Sequence, residues 1–216
     1  MNAGINIACR DFICTIDSDS LLKAAFLTVL SDREPVALGG NIIPANGCTV
    51  RNGKAVKIAP GRDHLSRFQT IEYMRAFLVG RLGWSLINSM VIISGAFGLF
   101  IRKRVVEIGG YLTPKSRHKA STVGEDMELV VRLHKHMREK KLPYKVYDAF
   151  NANCWTEVPD SFKILHRQRD RWHRGLMETL LHHKRLAFNP RYGPVGTIAF
   201  PYFIVFELIG PFFELF

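Results

Sequence analysis

Phe12-Ile13-Cys14-Thr15-Ile16 is an unbroken apolar run that stops abruptly on Asp17-Ser18-Asp19-Ser20. So short a run reads as a buried strand, and its carboxyl end opens into the crevice where α/β domains bind ligands. The rest of the chain agrees with that class. Helical apolar spacing follows over 21–30, with Ser20 placed to cap it, and recurs over 66–82, 127–137 and 161–186. Between these lie strand candidates at 36–38 and 41–43 around Gly39-Gly40, then 144–147 and 154–158. Asn46-Gly47 and Asn52-Gly53 are turn signals that predict a hairpin or meander. Strands alternating with helices predict an α/β domain. The apolar stretch 90–101 is interrupted by Ser94-Gly95-Ala96 and Gly98, small residues that let a ligand or another backbone come close.

The net charge of +11 over 216 residues suits an anionic partner: nucleic acid, an acidic membrane surface or a phosphorylated substrate. Cys9, Cys14, Cys48 and Cys154 show no C-x-x-C spacing, which argues against zinc and favours a reducing compartment. Met1 to Arg10 lacks the basic and apolar regions of a signal peptide. The end, VGTIAFPYFIVFELIGPFFELF, carries only Glu207 and Glu214 as charges. It is long enough to cross or lie on a membrane, a reading that its length and aromatic content favour over a buried terminal helix; Pro201 and Pro211 are expected to kink or end it.

Three groups of residues offer chemistry. Asp17 and Asp19 suit Mg²⁺ or Mn²⁺, hard cations that take oxygen ligands shared with a diphosphate, though a D-S-D-S turn also serves as a helix cap. Glu125 and Asp126 open a helix, where the macrodipole favours an ionised carboxylate fit to act as a base; acids also occupy first turns for stability alone. Gln168, Arg171 and Trp172 lie at i, i+3 and i+4, so an amide, a guanidinium and an indole share a helix face. That set can hold phosphate and stack on a sugar, or lie on a membrane with Trp172 as anchor. His182-His183 reads as surface, because adjacent residues do not share a helix face.

The order of these groups resembles one family. Asp-x-Asp after a strand, then Ser94-Gly95-Ala96-Phe97-Gly98, Glu-Asp opening a helix, Gln-x-x-Arg-Trp, and an apolar segment are similar to the processive family-2 glycosyltransferases. These are the cellulose, chitin, hyaluronan and poly-N-acetylglucosamine synthases. Asn2-Ala3-Gly4 is similar to the tail of their Lys-x-x-Ala-Leu-Asn-x-Gly stretch. The resemblance implies the acceptor-side part of a GT-A type domain over 1–160, interface helices over 161–194 and the start of a membrane segment over 195–216. It implies inverting transfer from a UDP-sugar to a hydroxyl of a growing β-linked glucan or N-acetylglucosamine polymer. Asp17 and Asp19 would hold the metal and, through it, the diphosphate. Asp126 would be the base, Gln168 and Arg171 would line the diphosphate, and Glu125, Trp172 and Gly95 would meet the acceptor. Membrane lipid and accessory synthase subunits are implied as partners, at a plasma or inner membrane with the catalytic part facing the cytoplasm.

The family's catalytic domain begins earlier than this chain, so the chain is expected to be truncated at both ends and by itself not to bind a nucleotide sugar tightly. Two other classes compete. A basic nucleic-acid module would use Arg169, Arg171, Arg174 and Trp172, but Asp17, Asp19, Glu125 and Asp126 would repel phosphate without a metal, so no nucleic-acid partner is expected. An inactive membrane-associated scaffold would keep the fold but has no reason to keep these acids and Gln-x-x-Arg-Trp.

Overall fold

The computed structural model describes residues 1–18, 20–23, 35–52, 54–112 and 122–213. After a short helix α1 (Asn2–Ile7) come strands β1 (Phe12–Ile16), β2 (Leu21–Lys23), β3 (Pro35–Pro44) and the hairpin β4 (Thr49–Arg51) with β5 (Lys54–Lys57). Helix α2 (His64–Tyr73) runs on through a π-helical stretch (Met74–Gly80) into α3 (Arg81–Leu86). Then follow β6 (Phe97–Ile101), α4 (Arg102–Glu107), α5 (Glu125–Glu139), β7 (Lys145–Thr156) and α6 (Phe162–His182). Among the described residues the main sheet has five strands in the order β1-β6-β3-β7-β2, and only β3 and β7 pair in parallel.

The centre of the sheet is β3, whose Val36, Ala37 and Leu38 are almost wholly buried. The two strands expected around Gly39-Gly40 are one. The glycines do not break it; they admit neighbours. A Cβ at Gly40 would lie 2.1 Å from the Phe97 ring, and one at Gly39 would lie 3.1 Å from Asp148 Oδ1. Likewise, 144–147 and 154–158 belong to one strand, β7. Its register against β3 jumps from Gly40↔Ala149 to Asn41↔Asn153, so the polar interruption is a bulge.

Other expectations need correction. Strand β1 is an edge strand rather than a buried one: Phe12 and Ile16 are 40% and 48% exposed, because among the described residues it pairs with β6 alone. Leu21–Lys23 is a strand rather than the start of a helix capped by Ser20; it pairs antiparallel with Asn153, Cys154 and Trp155 of β7. An open strand edge there overrides the helical spacing. Residues 24–30 lie outside the described residues.

Helix α2 starts at Asp63, whose carboxylate accepts from Ser66 N at 2.7 Å as an N-cap. Its apolar stripe divides, with Tyr73 and Phe77 entering the core while Phe68, Ile71 and Met74 stay exposed. Helix α5 packs on the other face of the sheet through Leu129, Val130, Leu133 and Met137, all fully buried with Val146 and Phe100.

Helix α3 covers the part of β7 that β2 leaves open. Ser85 Oγ accepts from Asp148 N at 3.1 Å, and Asn88 Oδ1 accepts from Val146 N at 2.9 Å. Two side chains thus satisfy N–H groups of a strand edge that, among the described residues, no strand pairs.

Past Pro190–Tyr192 the chain turns into helical segments over Val195–Ala199, Phe200–Tyr202, Phe203–Ile209 and Gly210–Phe213. Pro201 does not end this rod. The turns on either side widen to π-helical form, which absorbs the missing N–H and the ring. Val195, Ala199 and Phe200 are fully buried beside Met127 and Val131 of α5, so the first turns belong to the core of the domain. Among the described residues no helix is long and apolar enough to cross a membrane.

Candidate active site

The carboxyl end of β1 and the approach to β6 meet. Ile16 pairs with Phe97, and Asp17 N donates to Ala96 O at 3.3 Å. One residue back, Gly95 N donates to Asp126 Oδ2 at 3.3 Å. The Ser94-Gly95-Ala96 segment therefore lies between the Asp17 loop and Asp126. Asp17 is exposed; Asp19 lies outside the described residues.

Asp126 and Glu125 sit in the first turn of α5, each partly buried. Burial pushes the Asp126 carboxyl above the ordinary carboxylate value. The N–H groups of Met127, at 2.8 Å, and Gly95 oppose that rise, as does the Arg81 guanidinium, while Glu125 adds to it. The helix terminus alone predicts a carboxylate held low; desolvation outweighs it. A carboxyl moved upward and still contacted by N–H donors suits a proton acceptor.

Helix α6 brings the third group alongside. A Cβ at Gly175 would lie 2.7 Å from Gly124 Cα and N, and one at Gly124 would lie 2.9 Å from the Gly175 backbone. The helices touch backbone to backbone, two residues before Asp126. Val123 N also donates to Glu178 Oε2 at 3.0 Å. Gln168, Arg171 and Trp172 stand seven, four and three residues before Gly175, on the stripe of α6 that leads to this contact. Gln168 is half-buried, with Oε1 finding no hydrogen-bond partner among the described residues. Arg171 and Trp172 are exposed. The Trp172 ring lies 4.6 Å below the Arg169 guanidinium, and Arg169 makes a bidentate pair with Glu72 of α2 at 2.7 and 2.5 Å. Because backbone cannot move aside as a side chain can, Gly175→Ala is expected to cost about 1–3 kcal/mol by overpacking. Chemical denaturation would show it as a lower midpoint at unchanged m-value.

A family model described as "Glycosyl transferase family group 2" matches residues 12–216. The chain belongs to that family. It is 28% identical over 214 residues to the poly-beta-1,6-N-acetyl-D-glucosamine synthase of Staphylococcus aureus strain COL, covering 97% of this chain and 44% of the relative. Against the synthase of the same name from Staphylococcus epidermidis the identity is 26% over 183 residues, covering 84% of this chain and 39% of the relative. The chain therefore spans less than half the length of these relatives. A mannosyltransferase from Pyrobaculum calidifontis, solved with GDP-Man and Mn²⁺, superposes with a TM-score of 0.58 at 16% identity, over 93% of this chain and 49% of that one. That likeness shows the shared fold, the α/β GT-A type expected above.

Within this family-2 domain, four features escaped the sequence reading. Arg81 of α3 rests over the Phe77 ring at 3.9 Å, within electrostatic reach of both Asp148 and Asp126. Asp148 of β7 is 7% exposed, and burial pushes its carboxyl up to about 6 against the pull of Arg81. Tyr111 is held by Asn2, which donates from Nδ2 to Tyr111 O and accepts from Tyr111 N, both at 2.8 Å. Burial, then the charges of Asp126 and Glu125, push its phenol up to about 12, so it stays protonated.

The fourth feature is His183. It is 5% exposed rather than on the surface, and it contacts Glu128 Oε1 at 3.1 Å. The helix ends at His182, so the next residue turns inward. Glu128 also accepts from Arg132 at 2.8 and 2.7 Å, and Arg132 donates onward to Ile108 O and Gly110 O. Glu128, His182 and His183 lie close enough to chelate an ion, but Arg132 already occupies both Glu128 oxygens. This cluster therefore ties α5, α6 and the Ile108–Gly110 turn together rather than forming a metal centre.

Proposed function

We propose that this protein transfers a hexose from a nucleotide sugar to a hydroxyl of a growing polysaccharide, with Asp126 as the base. The observation that carries the reading is the position of Asp126. It is a partly buried carboxyl with a raised pKa, at a helix N-terminus, joined through Gly95 and Ala96 to the Asp17 loop.

The donor set fits a divalent cation. Asp17 presents an exposed, hard carboxylate at the strand end, and Asp19 is its partner in sequence. The two would hold Mg²⁺ or Mn²⁺, which when bound neutralises charge on a leaving diphosphate. The chain's own residues do the rest. Asp126 takes the proton of the acceptor hydroxyl. Arg171 and the orphaned Oε1 of Gln168 provide, respectively, donors for phosphate oxygens and an acceptor for a hydroxyl. Trp172, braced by Arg169, offers a face for a sugar ring, and Glu125 and Gly95 border the acceptor. Attack opposite the leaving group inverts the anomeric centre.

The similarity to the poly-beta-1,6-N-acetyl-D-glucosamine synthases of Staphylococcus favours N-acetylglucosamine over glucose. Membrane association, with exposed Phe206 and Phe213 near the end of the chain, and accessory synthase subunits belong to the same proposal. The test uses membranes from cells expressing the whole gene, given labelled UDP-N-acetylglucosamine, UDP-glucose or GDP-mannose with Mg²⁺ or Mn²⁺. Label is expected in polymer from UDP-N-acetylglucosamine alone, and chelation should stop it. Incorporation from GDP-mannose alone, or from none of the three, would sink the proposal.

A further inference from the structure

Arg81 and Asp148 belong to none of the motifs above, yet Arg81 lies within electrostatic reach of both Asp148 and the proposed base. Their placement follows from the way α3 covers the open edge of β7. Ser85 Oγ accepts from the Asp148 backbone N–H, which fixes one turn of α3 against that residue. Arg81 is four residues earlier, on the same helix face. Its guanidinium is seated on Phe77, which is itself 7% exposed in the core.

Two carboxylates from different elements lie within electrostatic reach of this cation, Asp148 from the sheet and Asp126 from α5, and so does Tyr73 of α2. Neither carboxylate is hydrogen-bonded to it. Arg81 Nη1 and both Asp148 oxygens are buried without hydrogen-bond partners among the described residues. A pair meant only for stability would close to a bidentate contact, as Glu128 and Arg132 do. Asp126 already has its two N–H contacts from Gly95 and Met127; Tyr111 beside it stays protonated, and among the described residues the remaining charges that act on it are Glu125 and Arg81. Of these, only Arg81 is positive.

We propose that Arg81 is a positioning residue for Asp126. Its guanidinium, seated on Phe77 and balanced by Asp148, supplies positive charge that favours the ionised form of the proton-accepting carboxylate in its partly buried place. The proposal rests on the reading of Asp126 as base. Asp148 acts as the counter-ion that limits how strongly Arg81 pulls on Asp126. Removing each partner therefore moves Asp126 in opposite directions. Loss of the cation makes protonation of Asp126 easier, and loss of the Asp148 charge makes it harder.

The test titrates the protein labelled with carbon-13 at aspartate Cγ, following Asp126 (assigned by its loss in Asp126→Asn) in wild type, Arg81→Met, Arg81→Lys and Asp148→Asn. The Asp126 midpoint is expected to move to higher pH in Arg81→Met, to lower pH in Asp148→Asn, and to stay near wild type in Arg81→Lys. With UDP-N-acetylglucosamine as donor, Arg81→Met should lower kcat about tenfold or more, with KM for the donor held within about twofold. Its acid limb should move up in pH, and Arg81→Lys should recover it. An Asp126 midpoint unmoved in Arg81→Met, or a wild-type kcat despite a moved midpoint, would overturn the proposal. If Arg81→Met does not fold, Asp148→Asn decides alone, and an unmoved midpoint there overturns it. Unimpaired transfer by Asp126→Asn would fell the base reading and this proposal with it. An inactive Asp126→Asn beside an unmoved midpoint would fell only the role of Arg81.

Discussion

Asp126→Asn is expected to lower the rate of sugar transfer by about two to four orders of magnitude, the usual worth of a positioned general base. The change is close to isosteric. Asn Oδ1 still accepts from Met127 N, and only the contact with Gly95 N is lost, since the amide nitrogen cannot accept. Folding should survive, so the loss should appear in kcat with KM for the nucleotide sugar little changed. The wild-type pH profile supplies the second reading. A base must be deprotonated, so the rate falls as pH drops through the folded pKa of Asp126. Burial raises that pKa above the ordinary value of 3.8, so the acid limb should lie higher than a solvent-exposed aspartate would place it. In Asp126→Asn that limb should vanish. Transfer at the wild-type rate, or an unchanged limb, would exclude Asp126 as the base.

Arg132→Met is expected to be the most damaging change to stability, at about 3–5 kcal/mol, because it strands a buried charge. Glu128 is 1% exposed, and its burial is offset by hydrogen bonds from His183 and Arg132, which together hold its carboxyl below the ordinary value. With Arg132 gone, both the pair and the donors to Ile108 O and Gly110 O disappear. The sign with pH follows. A depressed folded pKa contributes stability above the unfolded value, 4.5, and that contribution fades as pH falls through the folded value. The gap between wild type and Arg132→Met should therefore be full near neutrality and narrow in acid. Denaturation midpoints measured from pH 7 downward would check it, and a gap that is constant with pH would show that packing, not charge, carries the loss. Because the same cluster joins α5 to α6, loosening it should also separate Asp126 from the Gln168–Trp172 stripe and reduce transfer.

Local spacing was enough for the elements whose partners lie on one helix or in one turn. The helical pattern from 127 to 137 and the acids before it correspond to α5, and the pattern from 161 to 186 contains α6. Asn52-Gly53 marked the β4–β5 hairpin, since a left-handed turn residue such as Asn52, at φ 50°, belongs there. Spacing failed where the partner is remote. Leu21–Lys23 has helical neighbours in sequence but joins β7, more than a hundred residues later. Gly39-Gly40 resembles a break until Phe97 and Asp148 are seen to occupy the space a Cβ would need. The helical spacing over 66–82 does not tell which of its apolar residues are buried: Tyr73 and Phe77 enter the core, while Phe68, Ile71 and Met74 stay exposed.

The loop after Phe12–Ile16 shows the same division. The sequence by itself determined that two carboxylates follow a strand, that a Glu-Asp pair opens a helix, and that Gln168, Arg171 and Trp172 share a stripe. Each depends on residues within about two turns of one another, where backbone geometry alone sets direction. Only the tertiary structure decided that Gly95 and Ala96 join Asp17 to Asp126, that Gly124 and Gly175 bring α6 against α5, and that Arg81, Asp148 and His183 face inward. Those outcomes depend on which buried charge or strand edge finds its partner across the core, a matter of desolvation and packing that no local spacing records.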